Sequence, residues 1–243
     1  MTLLDVSGVS KSFGGLRALT DVSFAVEAGE IVGLMGANGA GKTTLFSIIA
    51  GHARASRGDV RFRGRSIAGL RPDRICRLGI ARTFQIVRPF AGLSARENVE
   101  TALIFGGRVH KRGDAVARRA LEILDEVGLA DQAEKPAGAL TLSGRKRLEV
   151  ARALGTGPAL LLLDEVMAGL TPTEVAAMLA TVQEIRRARG LTILIVEHVV
   201  RALVELSERI VVLHHGELIA TGTPRQIERD PAVRAVYFGE AAG

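Results

Sequence analysis

Cysteine and aromatic residues are scarce in this chain. The 243 residues include one cysteine, Cys76, so an intrachain disulfide is excluded and a reducing cytoplasm is the simplest expectation. Tryptophan is absent and tyrosine occurs once, which leaves few side chains for stacking on nucleic-acid bases. Composition therefore argues against a disulfide-stabilised secreted domain and against nucleic acid as a partner.

Long hydrophobic runs are also missing. The longest apolar runs are short, as at 159–163 and 193–196, whereas a helix that spans a bilayer needs about 20 apolar residues. The opening residues, MTLLDVSGVSKSFGG, have neither a basic start nor an apolar stretch, so no secretory signal is predicted. We expect a cytosolic chain that can dock on a membrane protein.

Acidic residues are too few to balance the basic ones, and the formal net charge is +6. The excess is concentrated between His52 and Arg88, where ten arginines occur with two aspartates. Such a stretch can bind nucleic acid or an anionic membrane surface. Several of its arginines alternate with Val60 and Phe62, which favours a solvated strand face, with proximity to lipid headgroups as a secondary benefit.

A phosphate-binding motif is the most informative feature that is present. Residues 36–44, GANGAGKTT, follow the apolar run 31–35 and match the pattern G-x-x-x-x-G-K-[ST]. Glycines let the backbone turn successive N–H groups toward an anion, and the following helix adds partial positive charge. Lys42 is predicted to reach the β- and γ-phosphates, and the Thr43 hydroxyl to ligate Mg²⁺. The predicted nucleotide-binding residues of the loop are Gly36, Asn38, Gly39, Gly41, Lys42, Thr43 and Thr44.

A pair of acids, Asp164 and Glu165, follows the apolar run 160–163. A carboxylate at the end of a strand can hold Mg²⁺, and the next carboxylate can orient or deprotonate an attacking water. We assign the first role to Asp164 and the second to Glu165. In a chain that also carries a phosphate loop, this interpretation is preferred to a strand that ends in two solvated acids.

The hydrophobic pattern predicts an α/β fold. Val22, Phe24 and Val26 alternate with other residues, as in an antiparallel sheet with one solvated face. The continuous apolar runs 31–35 and 193–196 are typical of parallel strands that are covered on both sides. We therefore predict a P-loop ATPase core with a parallel sheet, an N-terminal antiparallel β subdomain and an inserted helical subdomain.

Helix signals divide the chain further. Ser94 and Glu97 form a predicted capping box, Gly128 a helix end, and residues 171–174, TPTE, a second capping box for a helix that runs to Gly190. The tail GTPRQIERDPAVRAVYFG predicts two short helices. The predicted single domain, 1–243, comprises a nucleotide-binding core at 1–85 and 155–243 and a helical subdomain at 86–154.

From Val6 to Gly239 the chain resembles the ATP-binding subunits of the ABC transporter superfamily, and it is similar to their branched-chain amino acid importer group. Besides the two nucleotide motifs, the resemblance rests on Gln85 in RTFQ, His198 after ILIVE and Phe13 in SKSFGG. It implies that Gln85 senses Mg²⁺ and the attacking water, and that His198 contacts the γ-phosphate. It also implies that Phe13 stacks on adenine.

The signature of that family, usually LSGGQ, is altered here, since residues 140–154 read LTLSGRKRLEVARAL. An ungapped match through LEVARAL puts Thr141 at the signature serine, and Leu142 and Ser143 at its glycines. A local match uses Leu142, Ser143 and Gly144 but requires a two-residue gap. In either alignment a hydroxyl opens a helix whose N-terminus could point at a phosphate. Ser143 and Gly144 are preferred as nucleotide contacts, and the resemblance implies that they complete the site of the opposite subunit.

The resemblance implies an ATP-hydrolysing motor subunit of an importer, with ATP and Mg²⁺ as cofactors. The cargo is expected to be branched-chain amino acids, or related amino acids or amides. Implied partners are a second ATP-binding subunit, two membrane permeases and, indirectly, an extracytoplasmic substrate-binding protein. The chain would then lie peripherally at the cytoplasmic face of the inner membrane.

Three other classes of protein share some of these sequence features. A lipopolysaccharide-type exporter ATPase shares the ending RAVYFGE, but ARTFQ favours import. Soluble ABC ATPases that act on nucleic acid or ribosomes typically have coiled-coil insertions or two ATPase domains, and neither is predicted here. A small-molecule kinase with the same loop is disfavoured by Gln85, His198 and the signature-like helix together.

Overall fold

The computed structural model describes residues 1–84, 89–106 and 113–238. Its strands are β1 (Thr2–Phe13), β2 (Leu16–Glu27), β3 (Ile31–Met35), β4 (Arg57–Phe62), β5 (Arg65–Ser66), β6 (Ile80–Arg82), β7 (Leu160–Asp164), β8 (Thr192–Val196), β9 (Arg209–His214) and β10 (Glu217–Gly222). Its helices are α1 (Lys42–Ile49), α2 (Pro72–Leu78), α3 (Ala95–Phe105), α4 (Asp114–Glu126), α5 (Leu142–Gly155), α6 (Pro172–Arg189), α7 (Val200–Leu206), α8 (Pro224–Arg229) and α9 (Pro231–Phe238). In this described part of the chain, every helix is too short or too polar to cross a membrane.

The chain divides into two compact units. The first comprises residues 1–75 and the described residues from 192 onward, and the second comprises the described residues between 76 and 191. The described residues between 86 and 154, which the sequence assigns to a helical subdomain, belong to the second unit. The bounds of that subdomain stay a prediction.

The first unit contains both kinds of β-pairing that the sequence predicts. β1 pairs antiparallel with β2 and with β4, and the inward residues Val22, Phe24 and Val26 of β2 are buried. β3 pairs in parallel with β8 on one side and with β9 on the other, while β10 pairs antiparallel with β9. β8 is buried along its whole length and β3 up to Leu34, as expected of covered parallel strands.

The second unit combines a parallel strand pair with packed helices. β6 runs parallel to β7, with Arg82 opposite Leu162. α3 packs on α4 and α5. A Cβ added at Gly155 of α5 would lie 3.1 Å from the Ala102 Cβ of α3, so these two helices approach closely. The predicted end of α4 is confirmed by Gly128, whose φ of 70° is left-handed.

Both capping boxes predicted from the sequence are present. Ser94 accepts a hydrogen bond from the Glu97 N–H at 3.1 Å, and the Ser94 N–H donates to Glu97 Oε2 at 2.7 Å. Thr171 and Glu174 make the same reciprocal pair at the start of α6, which ends at the left-handed Gly190. These local signals therefore set the bounds of α3 and α6.

Replacing Ser94 with Ala should lower the free energy of unfolding by about 1 kcal/mol, because the Glu97 N–H loses its acceptor. Thr101→Ala is the matched control on the same helix, since its hydroxyl donates to the Glu97 carbonyl in mid-helix and caps no end. Urea unfolding measures both variants. Equal destabilisation by the two substitutions would contradict a capping role for Ser94.

Candidate functional site

The phosphate-loop sequence lies between β3 and α1 of the first unit. The Lys42 side chain is buried, and its Nζ donates to the carbonyl oxygens of Gly36 at 2.6 Å and Ala37 at 3.0 Å. These bonds curl the loop around an ammonium group at the start of a helix. A cation at a helix N-terminus is the arrangement that binds phosphate in P-loop proteins.

Two glycines of the loop are required by sterics. A Cβ at Gly36 would lie 2.7 Å from the carbonyl oxygen of Leu213. Gly41, the N-cap of α1, has a φ of 102°, and a Cβ there would lie 2.6 Å from the carbonyl oxygen of Ala18. These two glycines are therefore needed because neighbouring backbone leaves no room for a side chain, as well as for the turn itself.

The turn between β9 and β10 also supports the loop. The Gly216 N–H donates to the carbonyl oxygen of Ala40 at 3.2 Å, and the Thr20 N–H donates to the carbonyl oxygen of Gly216 at 2.8 Å. This turn therefore joins the phosphate loop to β2. Sequence reasoning missed Gly216, for which the only available signal was a glycine after two histidines.

His198 follows the carboxyl end of β8, at the same edge of the sheet as the phosphate loop that follows β3. Leu34 of β3 is opposite Val196 of β8, and Gly36 and His198 each follow two residues later. Because the strands are parallel, both segments emerge at their carboxyl ends, where ligands of α/β proteins bind. The structure thus brings the predicted His198 and the phosphate loop to neighbouring positions, with His198 exposed.

The other predicted contacts of the first unit are accessible. Phe13 ends β1, its side chain is 52% exposed, and Lys11 Nζ lies 4.7 Å from its ring centroid. Asn38 and Thr43 are exposed, and Thr44 is half-buried. An exposed ring beside a cation is chemically suited to stacking on a nucleotide base.

In the second unit, Asp164 ends β7 and is paired with an arginine that sequence reasoning missed. Asp164 Oδ2 accepts from Arg82 Nη2 at 2.7 Å, and the two side chains are only 3% and 7% exposed. The Asp164 N–H donates to Thr83 Oγ1 at 2.9 Å. Arg82, the last residue of β6, therefore pairs with the Asp164 carboxylate, and Thr83, the residue after this strand, holds the Asp164 backbone.

Glu165 is buried and has a φ of 52°, a left-handed conformation that is costly for a residue with a side chain. Lys146 Nζ, from α5, donates to the Glu165 carbonyl oxygen at 2.8 Å. Lys146 is itself 3% exposed. A buried lysine therefore holds the backbone of the predicted water-activating residue.

Glu149 lies one turn further along α5. Its Oε1 accepts a hydrogen bond from the Phe84 N–H. Phe84 is followed by Gln85, and Gln85 lies outside the described residues. Burial raises the pKa of the Glu149 carboxyl above its ordinary value, although Lys146 and Arg152 act in the opposite direction. The sequence signal for Glu149 was a charged residue within the apolar stretch LEVARAL.

The stability of the protein should therefore depend on pH through Glu149. A carboxyl whose pKa is raised by folding favours the fold most below its unfolded pKa, and this contribution is lost as pH rises through the folded pKa. Glu149→Gln removes the ionisation. We expect the variant to gain stability relative to wild type as pH rises above the ordinary pKa of a glutamate, about 4.3. Urea unfolding from below to above that pH checks the result, and a difference that is independent of pH would contradict it.

The structure clarifies how α5 begins. Thr141 is its N-cap and accepts from the Gly144 N–H at 3.1 Å, while Ser143 and Gly144 are the second and third helical residues. Thr141 is exposed, Ser143 is half-buried and Gly144 is buried. The hydroxyl that opens the helix is thus that of Thr141. Nucleotide contacts by Ser143 and Gly144 stay a prediction.

The predicted Mg²⁺ ligands are tested by their donor chemistry. Thr43 offers a hydroxyl and Asp164 a carboxylate, and oxygen donors are those that Mg²⁺ prefers. Among the described residues, no cluster of three or more His, Cys, Asp or Glu could hold a metal alone. Proteins commonly hold Mg²⁺ through one or two carboxylates together with substrate phosphates. The phosphate-loop sequence between β3 and α1, with its buried lysine, defines a P-loop nucleotide-binding protein.

Comparisons with known proteins identify the family. The ABC transporter family model matches residues 19–168, and the model described as "Branched-chain amino acid ATP-binding cassette transporter" matches residues 217–243. The chain is 38% identical to the high-affinity branched-chain amino acid transport ATP-binding protein BraF of Pseudomonas aeruginosa, over 98% of each chain. It is 37% identical to LivG of Escherichia coli K12, again over 98% of each chain. The chain therefore belongs to the ABC transporter family of ATP-binding subunits.

Solved structures are similar to it over nearly the whole chain. The ADP conformation of MJ1267, an ATP-binding cassette of an ABC transporter, gives a TM-score of 0.89 at 30% identity and covers 99% of this chain and 100% of that one. A dimeric structure of the bacterial ABC transporter cassette MJ0796 gives 0.83 at 27% identity, covering 92% and 99%. The predicted family and α/β fold class are confirmed, and ATP hydrolysis is the activity that this family implies.

Proposed function

We propose that this chain is the ATP-hydrolysing motor of an importer for branched-chain amino acids, or for related amino acids or amides. The observation that carries the proposal is similarity to BraF and LivG over 98% of the chain. The match of residues 217–243 to a branched-chain amino acid transporter model agrees with it at the C-terminal end. That match favours import over the lipopolysaccharide-type exporter, which the ending RAVYFGE alone had left open.

The residues of the first unit would bind the nucleotide. Lys42 would hold the β- and γ-phosphates with a buried ammonium, and the loop N–H groups would bind phosphate oxygens. Phe13 would stack on the adenine ring. His198 would donate a hydrogen bond to the γ-phosphate and stabilise charge as it develops there.

The strand-end acids of the second unit would act on water and on the cation. Glu165 would orient the attacking water and accept its proton, and Gln85 would help to place it. Thr43, Asp164 and Gln85 are the residues that would hold Mg²⁺. When bound, Mg²⁺ supplies positive charge that offsets the negative phosphate oxygens.

The partners follow from the same proposal. A second ATP-binding subunit, identical or paralogous, would contribute its α5 N-terminus to this chain's nucleotide, and residues 141–144 would do the same for the partner. Two membrane permeases would receive the movement, and an extracytoplasmic binding protein would deliver the cargo to them. The chain would lie at the cytoplasmic face of the membrane.

Uptake measurements test the proposed cargo. In a host that lacks this chain, wild type should restore accumulation of labelled leucine, isoleucine and valine, whereas Glu165→Gln should not. Labelled amides and urea are measured in parallel, because they separate the related cargoes. Normal amino-acid uptake without the chain, combined with defective lipopolysaccharide export, would favour the exporter instead.

Purification from native membranes tests the partners. We expect two permeases and an ATP-binding subunit to accompany the chain, and vanadate-sensitive ATP hydrolysis that phosphorylates no acceptor. Recovery with nucleic acid or ribosomes and without a membrane protein would contradict the transporter proposal.

A further inference from the structure

Two buried charged residues lie on one face of α5. Lys146 and Glu149 are three residues apart, so their side chains project from neighbouring positions of the helix surface. They are 3% and 6% exposed. Burying such groups is costly unless they make specific interactions.

Each of the two side chains binds a backbone group at a catalytic segment. Lys146 Nζ donates to the Glu165 carbonyl oxygen at 2.8 Å. Glu149 Oε1 accepts from the Phe84 N–H, and Phe84 immediately precedes Gln85. One face of α5 thus holds the backbone of Glu165, which is proposed to activate water. The same face holds the backbone of Phe84, next to Gln85, which is proposed to help place that water.

Stability alone accounts poorly for this arrangement. Glu165 is held at a φ of 52°, and residues keep such a conformation only where their surroundings impose it. Among the residues that the structure describes, Glu149 Oε2 has no hydrogen-bond partner although it is buried. An apolar side chain would avoid burying this charge, but it would leave the Phe84 N–H without its acceptor.

We propose that Lys146 and Glu149 are positioning residues of ATP hydrolysis, which set the backbones of Glu165 and of the segment that leads into Gln85. The inference rests on the proposed function of Glu165 and Gln85. If so, α5 has two roles. Its first turn carries the signature residues, which are proposed to serve the partner's nucleotide, and its next turn positions this chain's own catalytic residues.

Two pairs of variants test the proposal in the full chain with its co-purified subunits. Lys146→Met removes the donor to Glu165, and Lys146→Arg retains one. Glu149→Met removes the acceptor for Phe84, and Glu149→Gln retains one oxygen at the same place. We expect kcat to fall about tenfold or more in both Met variants, with KM for ATP within about twofold of wild type. Arg and Gln should each restore kcat to within about threefold of wild type.

Arg189→Met is the matched control in the same unit. It removes a partly buried cation that binds Glu126 through two hydrogen bonds, of 2.6 and 2.7 Å. Any loss of stability in this variant should leave kcat unchanged. If either Met variant fails to fold, Lys146→Leu or Glu149→Ala replaces it, with the same tenfold loss of kcat expected. Folded variants that hydrolyse ATP within about threefold of wild type would overturn the proposal.

The Glu165→Gln variant separates this inference from the function on which it rests. If that variant keeps the wild-type kcat, the proposed role of Glu165 is wrong. If it loses hydrolysis while Lys146→Met and Glu149→Met retain it, only the positioning role is wrong. In variants that remain folded, a fall in ATP affinity as large as the fall in kcat would also contradict positioning.

Discussion

Replacing Glu165 with Gln should lower kcat for ATP hydrolysis by at least about 100-fold, because an amide cannot accept the proton of the attacking water. ATP binding should persist, since the phosphate loop and Lys42 are untouched. The substitution keeps the size of the side chain, and the Lys146 bond is made to the backbone carbonyl of residue 165. The left-handed backbone at this position should therefore remain in place.

Steady-state hydrolysis and nucleotide binding are the measurements for Glu165→Gln. Glu174→Gln is the matched control, because it changes a half-buried carboxylate at the start of α6 that belongs to no proposed catalytic group. The control should hydrolyse ATP at the wild-type rate. Retention of more than a tenth of the activity by Glu165→Gln would exclude Glu165 as the main proton acceptor.

Replacing Gly41 with Ala should have the largest effect on the phosphate loop. The residue has a φ of 102°, and the added Cβ would lie 2.6 Å from the Ala18 carbonyl oxygen and from Leu19 Cδ2. Backbone strain and the steric clash together should cost about 3 kcal/mol of folding free energy. ATP affinity should fall by more than about tenfold, because a shift of the N-cap moves the start of α1 away from the phosphates.

Gly64→Ala is the control that separates strain from collision. Gly64 also has a left-handed φ, of 75°, but a Cβ there would have nothing within 4 Å. It should cost only about 1 kcal/mol and leave ATP affinity unchanged. Urea unfolding and nucleotide titration measure both variants. Equal costs for the two would show that the approach of Ala18 to Gly41 does not matter.

Local features of this protein were predictable because their causes are local. The phosphate loop was recognised from glycine spacing and a following helix, and Ser94, Gly128 and Thr171 from their effects on the nearest turn. The buried parallel strands were recognised because they are apolar without alternation. In each case the residues that interact are a few positions apart, or the pattern reports burial directly.

The groups that hold the candidate site could not be predicted in this way. Arg82 binds Asp164, Glu149 binds the Phe84 N–H, and Gly216 binds Ala40, with tens of residues between the members of each pair. Neither hydrophobic periodicity nor motif spacing predicts such pairs, because their members come together only when the chain folds. The start of α5 was also not predictable from the sequence, because two alignments of the signature were compatible with it. The backbone shows that Thr141 caps the helix.

The sequence by itself determined the family, the fold class and the types of chemical group available for a nucleotide. Tertiary structure decided how two of those groups are held: Asp164 by Arg82, and Glu165 in a left-handed conformation bound by Lys146. The physical reason is that residue type sets what a side chain can donate or accept. Its conformation and its burial depend on contacts with residues that are distant along the chain.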